Sequence, residues 1–250
     1  MLKTGPAELR GLWRELGVRE GETLLCHSYL PSFGLLVPGP EAVIDTLLAA
    51  LGPAGTLVVP TFTYSWFRGE PFDVQNTPGT VGLLGELLRK REGAVRSQDP
   101  CFSNAALGAR AAELLRRDVP NSFGPGSFHD KLLAAGGKVL LLGVDFRALP
   151  LFMHIERMHG AGYRYEKRFT GTIVDAGSRI ESEMLHFVRD EKRNPETDRS
   201  RISAELDASP ECRVVRLAYG EHRCMDAGAI AAKALARLSQ DPYFLIKQPV

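Results

Sequence analysis

Cysteine is scarce in this chain. Cys26, Cys101, Cys212 and Cys224 are scattered, with no C-x-x-C pair and no metal-ligand spacing. Zinc ribbons and dithiol centres therefore have no pattern to stand on, and Cys26, after Leu24 and Leu25, reads as a small core residue of a reducing compartment. An excess of charge of either sign is also missing: the formal net charge is +1, which leaves no electrostatic footprint for nucleic acid or an anionic membrane. No apolar run approaches the roughly 18 residues of a membrane span, and the opening Met1-Leu-Lys-Thr-Gly-Pro lacks a signal-peptide core. A cytoplasmic location is the expectation. Several motifs are lacking as well. There is no Walker loop, no G-x-G-x-x-G after a strand and no G-x-S-x-G elbow, and His27, His129, His154, His159, His186 and His222 form no H-E-x-x-H. A P-loop enzyme, a Rossmann dehydrogenase, an α/β-hydrolase and a zinc enzyme are all disfavoured, and no metal is expected.

What is present suits an ordinary globular protein. The 250 residues, 44% hydrophobic and 24% charged, are ample for one core, and a single domain over 1–250 is the economical reading. Leu9, Leu12, Trp13 and Leu16 share a helical face. Residues 23–27 and 55–60 read as strands, and 41–51 as a helix stopped by Pro53 and Gly55. Further helices are expected near 80–91, 106–117 and 130–135, a buried strand at 138–143, and a terminal helix at 226–238. Short strands are expected around the turn at 175–178, and the charged run 189–201 reads as a solvated loop. The fold class is α/β: three α/β/α layers around a central, mostly parallel or mixed sheet, with a smaller β-containing C-terminal part.

Two places carry polar groups to the end of a strand. In "CHSYLPSFG" (26–34), His27 and Ser28 close an apolar strand, at the edge where open α/β sheets bind ligands. In "LFMHIERMHG" (151–160), His154, Glu156 and His159 follow the strand at 138–143. On a helix His154 and Glu156 stand about 200° apart, whereas Glu156 and His159 share a face. In an extended segment His154 and Glu156 point the same way. Either His–Glu pair would supply a general base. "GPGS" (124–127) reads as a turn and only weakly as an anion-binding nest.

The spaced pieces "HSYLPSFG" (27–34), "GPAGTLVVPTFTY" (52–64), "FDVQNTPGTVGLLGELLRKREGAVRSQDPCFSNAALG" (72–108) and "FGPGSFHDKLLAAGGKVLLLGV" (123–144) are followed by the H…E segment. Taken together they resemble the aminoglycoside 3-N-acetyltransferase family, over roughly residues 8 to 245. The resemblance implies an acyl-CoA N-acyltransferase with acetyl-CoA, or another short acyl-CoA, as co-substrate and a primary amine on an amino sugar as acceptor. It implies that His27, Ser28, Tyr29, Leu30 and Gly34, with Ser97 and Ser103, hold the cofactor. His154 takes the position of the base that deprotonates the acceptor amine, and Glu156 orients that imidazole or holds the incoming ammonium. Attack on the thioester is direct, so no acyl-cysteine is expected. The family spacing is H-x-x-E and this chain has H-I-E, which leaves His159 as an alternative to His154.

Tyr64, Glu70, Asp73, Asp145 and Tyr163 are the residues expected to hold the acceptor. Arg68, Arg147, Arg157, Arg164 and Lys167 lie near them in sequence. Such charge would repel a polycationic antibiotic and welcome a phosphate, which favours a nucleotide-linked amino sugar over an aminoglycoside. The competing expectation is a catalytically altered family member that keeps the CoA site, and a homodimer is compatible with either.

Overall fold

The computed structural model describes residues 2–190, 192 and 196–247. A seven-stranded sheet forms the middle layer, in the order β11-β12-β8-β2-β4-β7-β6. In chain order, the first half runs β1 (Lys3–Thr4), α1 (Pro6–Glu15), β2 (Thr23–Ser28), β3 (Leu35–Leu36), α2 (Glu41–Leu51), β4 (Thr56–Pro60), β5 (Phe72–Asp73), α3 (Leu83–Arg89), β6 (Val95–Arg96), β7 (Asn104–Gly108) and α4 (Ala111–Leu115). The second half adds α5 (Phe128–Ala134), β8 (Lys138–Leu142), α6 (Leu151–His159), β9 (Arg164–Asp175), β10 (Ser178–Arg189), α7 (Ser200–Asp207), β11 (Arg213–Leu217), β12 (Gly220–Asp226) and α8 (Ala227–Gln240).

Only the middle of the sheet is parallel. β2 pairs in parallel with β4 on one side and β8 on the other, while β7, β6, β12 and β11 join antiparallel. The sheet is therefore mixed. Its strands alternate between two apolar layers, as the two-residue period of a strand requires. Leu25, Val58, Val139 and Leu141 pack with Phe152 and Ile155 of α6 and Ile230 and Ala234 of α8. Their neighbours Leu24, Leu57, Leu140 and Leu142 pack with Leu12 and Trp13 of α1 and Val43, Ile44 and Leu47 of α2. Three layers result. A second, three-stranded sheet, β10-β9-β5, stands apart from the first, and its long hairpin forms the smaller β part.

One expected helix is wrong in its first half. Residues 104–108 form β7, and the helix begins only at Ala111. Alanine favours helix, but Ala105, Ala106 and Leu107 pair with Val59, Val58 and Leu57, so ladder bonds and burial outweigh intrinsic propensity. The charged run expected to be one solvated loop ends in α7 from Ser200, and residues 191 and 193–195 of it lie outside the described residues.

Helix α3 lies against the end of β4, and the glycine at the contact is what permits it. A Cβ on Gly85 would come within 2.1 Å of the Pro60 carbonyl oxygen. Glycine to alanine in an open helix stabilises by about 1 kcal/mol. Here overpacking reverses the sign: Gly85→Ala is expected to cost about 1–3 kcal/mol, read as a lower urea midpoint at unchanged slope. An unchanged or raised midpoint would show that α3 is free to move away.

Candidate active site

Strands β2 and β4 end together, and a cavity of about 290 Å³ opens at their carboxyl ends. His27 and Ser28 line it, with Tyr64, Phe62 and Phe102 across from them and Val144 and Pro150 from the segment after β8. The Nε2 of His27 is buried and finds no hydrogen-bond partner among the described residues. Burial holds its pKa down to about 4, so the ring is neutral at physiological pH. Tyr64 is half-exposed and meets Phe102 edge-on at 6.1 Å. Tyr29 and Asp145 line a neighbouring cleft of about 410 Å³, together with Ser32 and Tyr219.

Helix α6 fixes which residues of the H-I-E segment share a face. The segment is helical from Leu151 to His159, with Gly160 in the left-handed conformation ending it. His154 and Glu156 consequently leave on different sides. His154 is almost fully buried and does not line the cavity. Its Nδ1 accepts the Gly124 N–H at 3.1 Å, with the Ser127 hydroxyl 3.5 Å away. A backbone N–H can only donate, so the neutral ring carries its proton on Nε2. Burial pushes the His154 pKa down to about 4, with the nearby Asp130 carboxylate opposing the shift and Arg157 adding to it. The His154 ring stacks 6.2 Å from that of His129. His129 is held well below the usual imidazole range by burial and then by His154 and His27.

Glu156 does not orient His154. Its carboxylate is fully buried on the other side of α6, where Oε1 accepts the Tyr163 hydroxyl at 2.9 Å and Oε2 lies 2.9 Å from the Arg164 Nε. That corrects two expectations at once, because Tyr163 is a buried partner of Glu156 and does not line the cavity. His159 sits in the last turn of α6 and makes no bond to Glu156.

Other expected contacts are structural as well. Ser97 accepts the Asn104 N–H at 3.0 Å across the β6–β7 pair. Ser103 is fully buried and donates to the Thr61 carbonyl at 2.7 Å. Neither lines the 290 Å³ cavity. Gly34 adopts a positive φ where a Cβ would meet the Leu2 carbonyl oxygen at 2.5 Å, and Leu30 packs on the apolar layer under α2. Asp73 accepts the N–H groups of Gln75 and Asn76, closing a turn, and Glu70 is exposed beside Arg68. The cationic residues that read as unopposed in sequence are mostly paired: Arg68 with Glu70, Arg147 with Asp145, Arg157 with Glu166 and Arg164 with Glu156.

The family model described as aminoglycoside 3-N-acetyltransferase matches residues 25–239. The chain belongs to that family. It is 36% identical over 204 residues to aminoglycoside N(3)-acetyltransferase VII of Streptomyces paromomycinus, covering 70% of this chain and 69% of that protein. Aminoglycoside N(3)-acetyltransferase IV of a Salmonella species is 30% identical over 246 residues, 97% of this chain and 90% of the relative. Among solved structures, a histidine-to-alanine variant of aminoglycoside acetyltransferase AAC(3)-IVa in complex with a gentamicin superposes with a TM-score of 0.85 at 28% identity, covering 100% of this chain and 93% of that one.

For this family member, sequence reasoning missed His129 and the hold of Gly124 on His154. The one available signal was Ser127, which caps α5 by accepting the Asp130 N–H; a serine three residues before an aspartate marks a helix start. Among the described residues no group of three or more His, Cys, Asp or Glu is placed to hold a metal, and no helix among them is long and apolar enough to cross a membrane.

Glu156→Gln is expected to cost about 3–5 kcal/mol in thermal or urea unfolding, because it leaves Arg164 buried without its counter-charge. Wild-type stability with lost turnover would return Glu156 to the chemistry. His27, His154 and His186 are each held at about 4 against an ordinary 6.5. The unfolded chain therefore binds more protons between those values. Stability is expected to be full above about pH 6.5 and to fall as the pH drops toward about 4; a flat urea midpoint over that window would contradict the burial of these rings.

Proposed function

We propose that this chain transfers the acetyl group of acetyl-CoA to an amine of an aminoglycoside. The carrying observation is the cavity at the carboxyl ends of β2 and β4, walled by His27 and Tyr64, with the buried ring of His129 within electrostatic reach of His27 and stacked on His154. In direct transfer the amine nitrogen bonds to the thioester carbonyl carbon and the C–S bond breaks. The proton on the attacking nitrogen passes to a base, which gives it to the departing thiolate so that CoA leaves as the thiol. A neutral imidazole on the wall of a small cavity, that of His27, suits the proton step. The motif resemblance assigns it to His154.

The acceptor is read as an aminoglycoside, ahead of a nucleotide-linked amino sugar. The charge argument for the nucleotide-linked sugar rested on Arg68, Arg147, Arg157, Arg164 and Lys167, and each of the four arginines is opposed by a carboxylate. The relative AAC(3)-IVa was solved with a gentamicin. A second reading concerns the base alone. The Nδ1 of His154 is taken by Gly124, whereas His27 lines the cavity with Nε2 unpartnered among the described residues, which favours His27 as the ring that meets the proton.

A thiol-release assay with acetyl-CoA is expected to show turnover of gentamicin and none of a nucleotide-linked amino sugar; the reverse pattern would sink the acceptor assignment. His154→Ala is expected to lower kcat by about 10²–10⁴-fold. Wild-type turnover in that variant, with the loss appearing in His27→Ala, would transfer the role to His27.

A further inference from the structure

Arg96 is a buried cation with no carboxylate in ion-pair contact among the described residues, and neither the motif resemblance nor the proposed chemistry assigns it a role. It ends β6, with 9% of its surface exposed. Its guanidinium is spent on neutral acceptors. The Nε donates to the Thr61 hydroxyl at 3.1 Å, and one terminal nitrogen donates to the Thr61 carbonyl at 2.9 Å and the Ser103 hydroxyl at 3.2 Å. The other terminal nitrogen donates to the carbonyls of Thr77 at 2.5 Å and Val74 at 3.3 Å. The ring of Phe72 lies 4.9 Å beneath it. Asp73 and Glu86 act on it only through space.

The placement of these acceptors is the informative part. Thr61 begins the long loop after β4, and Val74 and Thr77 end it, so one planar group gathers both ends of a loop that no central strand spans. That loop carries Phe62 and Tyr64, two walls of the 290 Å³ cavity. Lysine cannot substitute, because a single ammonium lacks the fork that reaches three carbonyls and two hydroxyls together. We infer that Arg96 is a positioning residue that shapes the candidate active site by tying the two ends of segment 61–77 together, so that Phe62 and Tyr64 stand at fixed places on the cavity wall.

The inference can be judged by amide exchange on the full chain, comparing wild type, Arg96→Lys and Thr61→Val. The reporting amides are Thr63, Val74 and Thr80, which are bonded to Cys101, Val174 and Phe62. Arg96→Lys is expected to speed their exchange roughly ten-fold or more, with α2 and β8 unchanged. Thr61→Val removes one of the two hydroxyl acceptors of Nε, together with the Thr61–Ser103 hydroxyl contact, and is expected to show a smaller acceleration in the same segment; it carries the test if the lysine variant does not fold. Wild-type exchange in segment 61–80, or acceleration spread evenly over the whole sheet, would overturn the inference. A kinetic arm rests on the proposed transferase function: Arg96→Lys raises KM several-fold while kcat falls less, and an equal fall of kcat and kcat/KM with unchanged KM counts against positioning. Absence of any transfer by the wild type would overturn the proposed function, while the exchange comparison would still decide the role of Arg96.

Discussion

The parallel pairing of β2 between β4 and β8 is the constraint on which the site depends. Because the three strands run the same way, with Leu25 level with both Val58 and Val139, their carboxyl ends meet at one edge. His27, Pro60 and the segment after Leu142 emerge there together, and the loops that leave them enclose the cavity. The flanking strands join antiparallel and complete the sheet on both sides of that edge. Covering both faces with helices buries the middle strands completely, which is why they read as unbroken apolar runs.

Helix α6 then divides two polar residues between two tasks. His154 turns toward α5 and meets Gly124, Ser127 and His129. Glu156 turns toward the base of the β9–β10 hairpin and meets Tyr163 and Arg164. Arg199, just before α7, reinforces that side by donating to the Leu149 carbonyl ahead of α6. Burying a carboxylate is costly unless it is paired, and Glu156 has the Tyr163 hydroxyl bonded to one oxygen and the Arg164 guanidinium in ion-pair contact, without a hydrogen bond, at the other. The helix is in this way anchored through its carboxylate side, which holds the imidazole side in place.

The residues that were legible in advance share a physical property: their signal is local. Leu24, Leu25, Val58, Leu140 and Leu141 announce strands by composition, and Glu41–Leu51 announces a helix by the Pro53 and Gly55 beyond its end. Residues 104–108 misled because alanine favours a helix wherever pairing does not intervene, and the pairing partner lies far back along the chain in β4. The cavity lining was legible where a motif ended a strand, at His27 and Ser28, and in the loop after β4, at Tyr64. His27, Ser28 and Tyr64 do line the cavity, whereas Ser97 and Ser103, equally prominent in the motifs, bond to backbone behind it. Hydroxyls in a pattern carry no mark of the direction in which they will point.

The sequence by itself determined the family, the layered α/β plan and the strand edge at which a cavity opens, because apolar period and spaced motifs are properties of the chain alone. Tertiary structure alone decided the partners. Whether Glu156 serves His154 or Arg164 turned on α6 being a helix, since about 100° per residue sends positions two apart to opposite sides. Whether Arg157 and Arg164 are free charges turned on the fold, which brings Glu166 to the one and Glu156 to the other, whereas Arg68 and Arg147 pair with carboxylates two residues away along the chain.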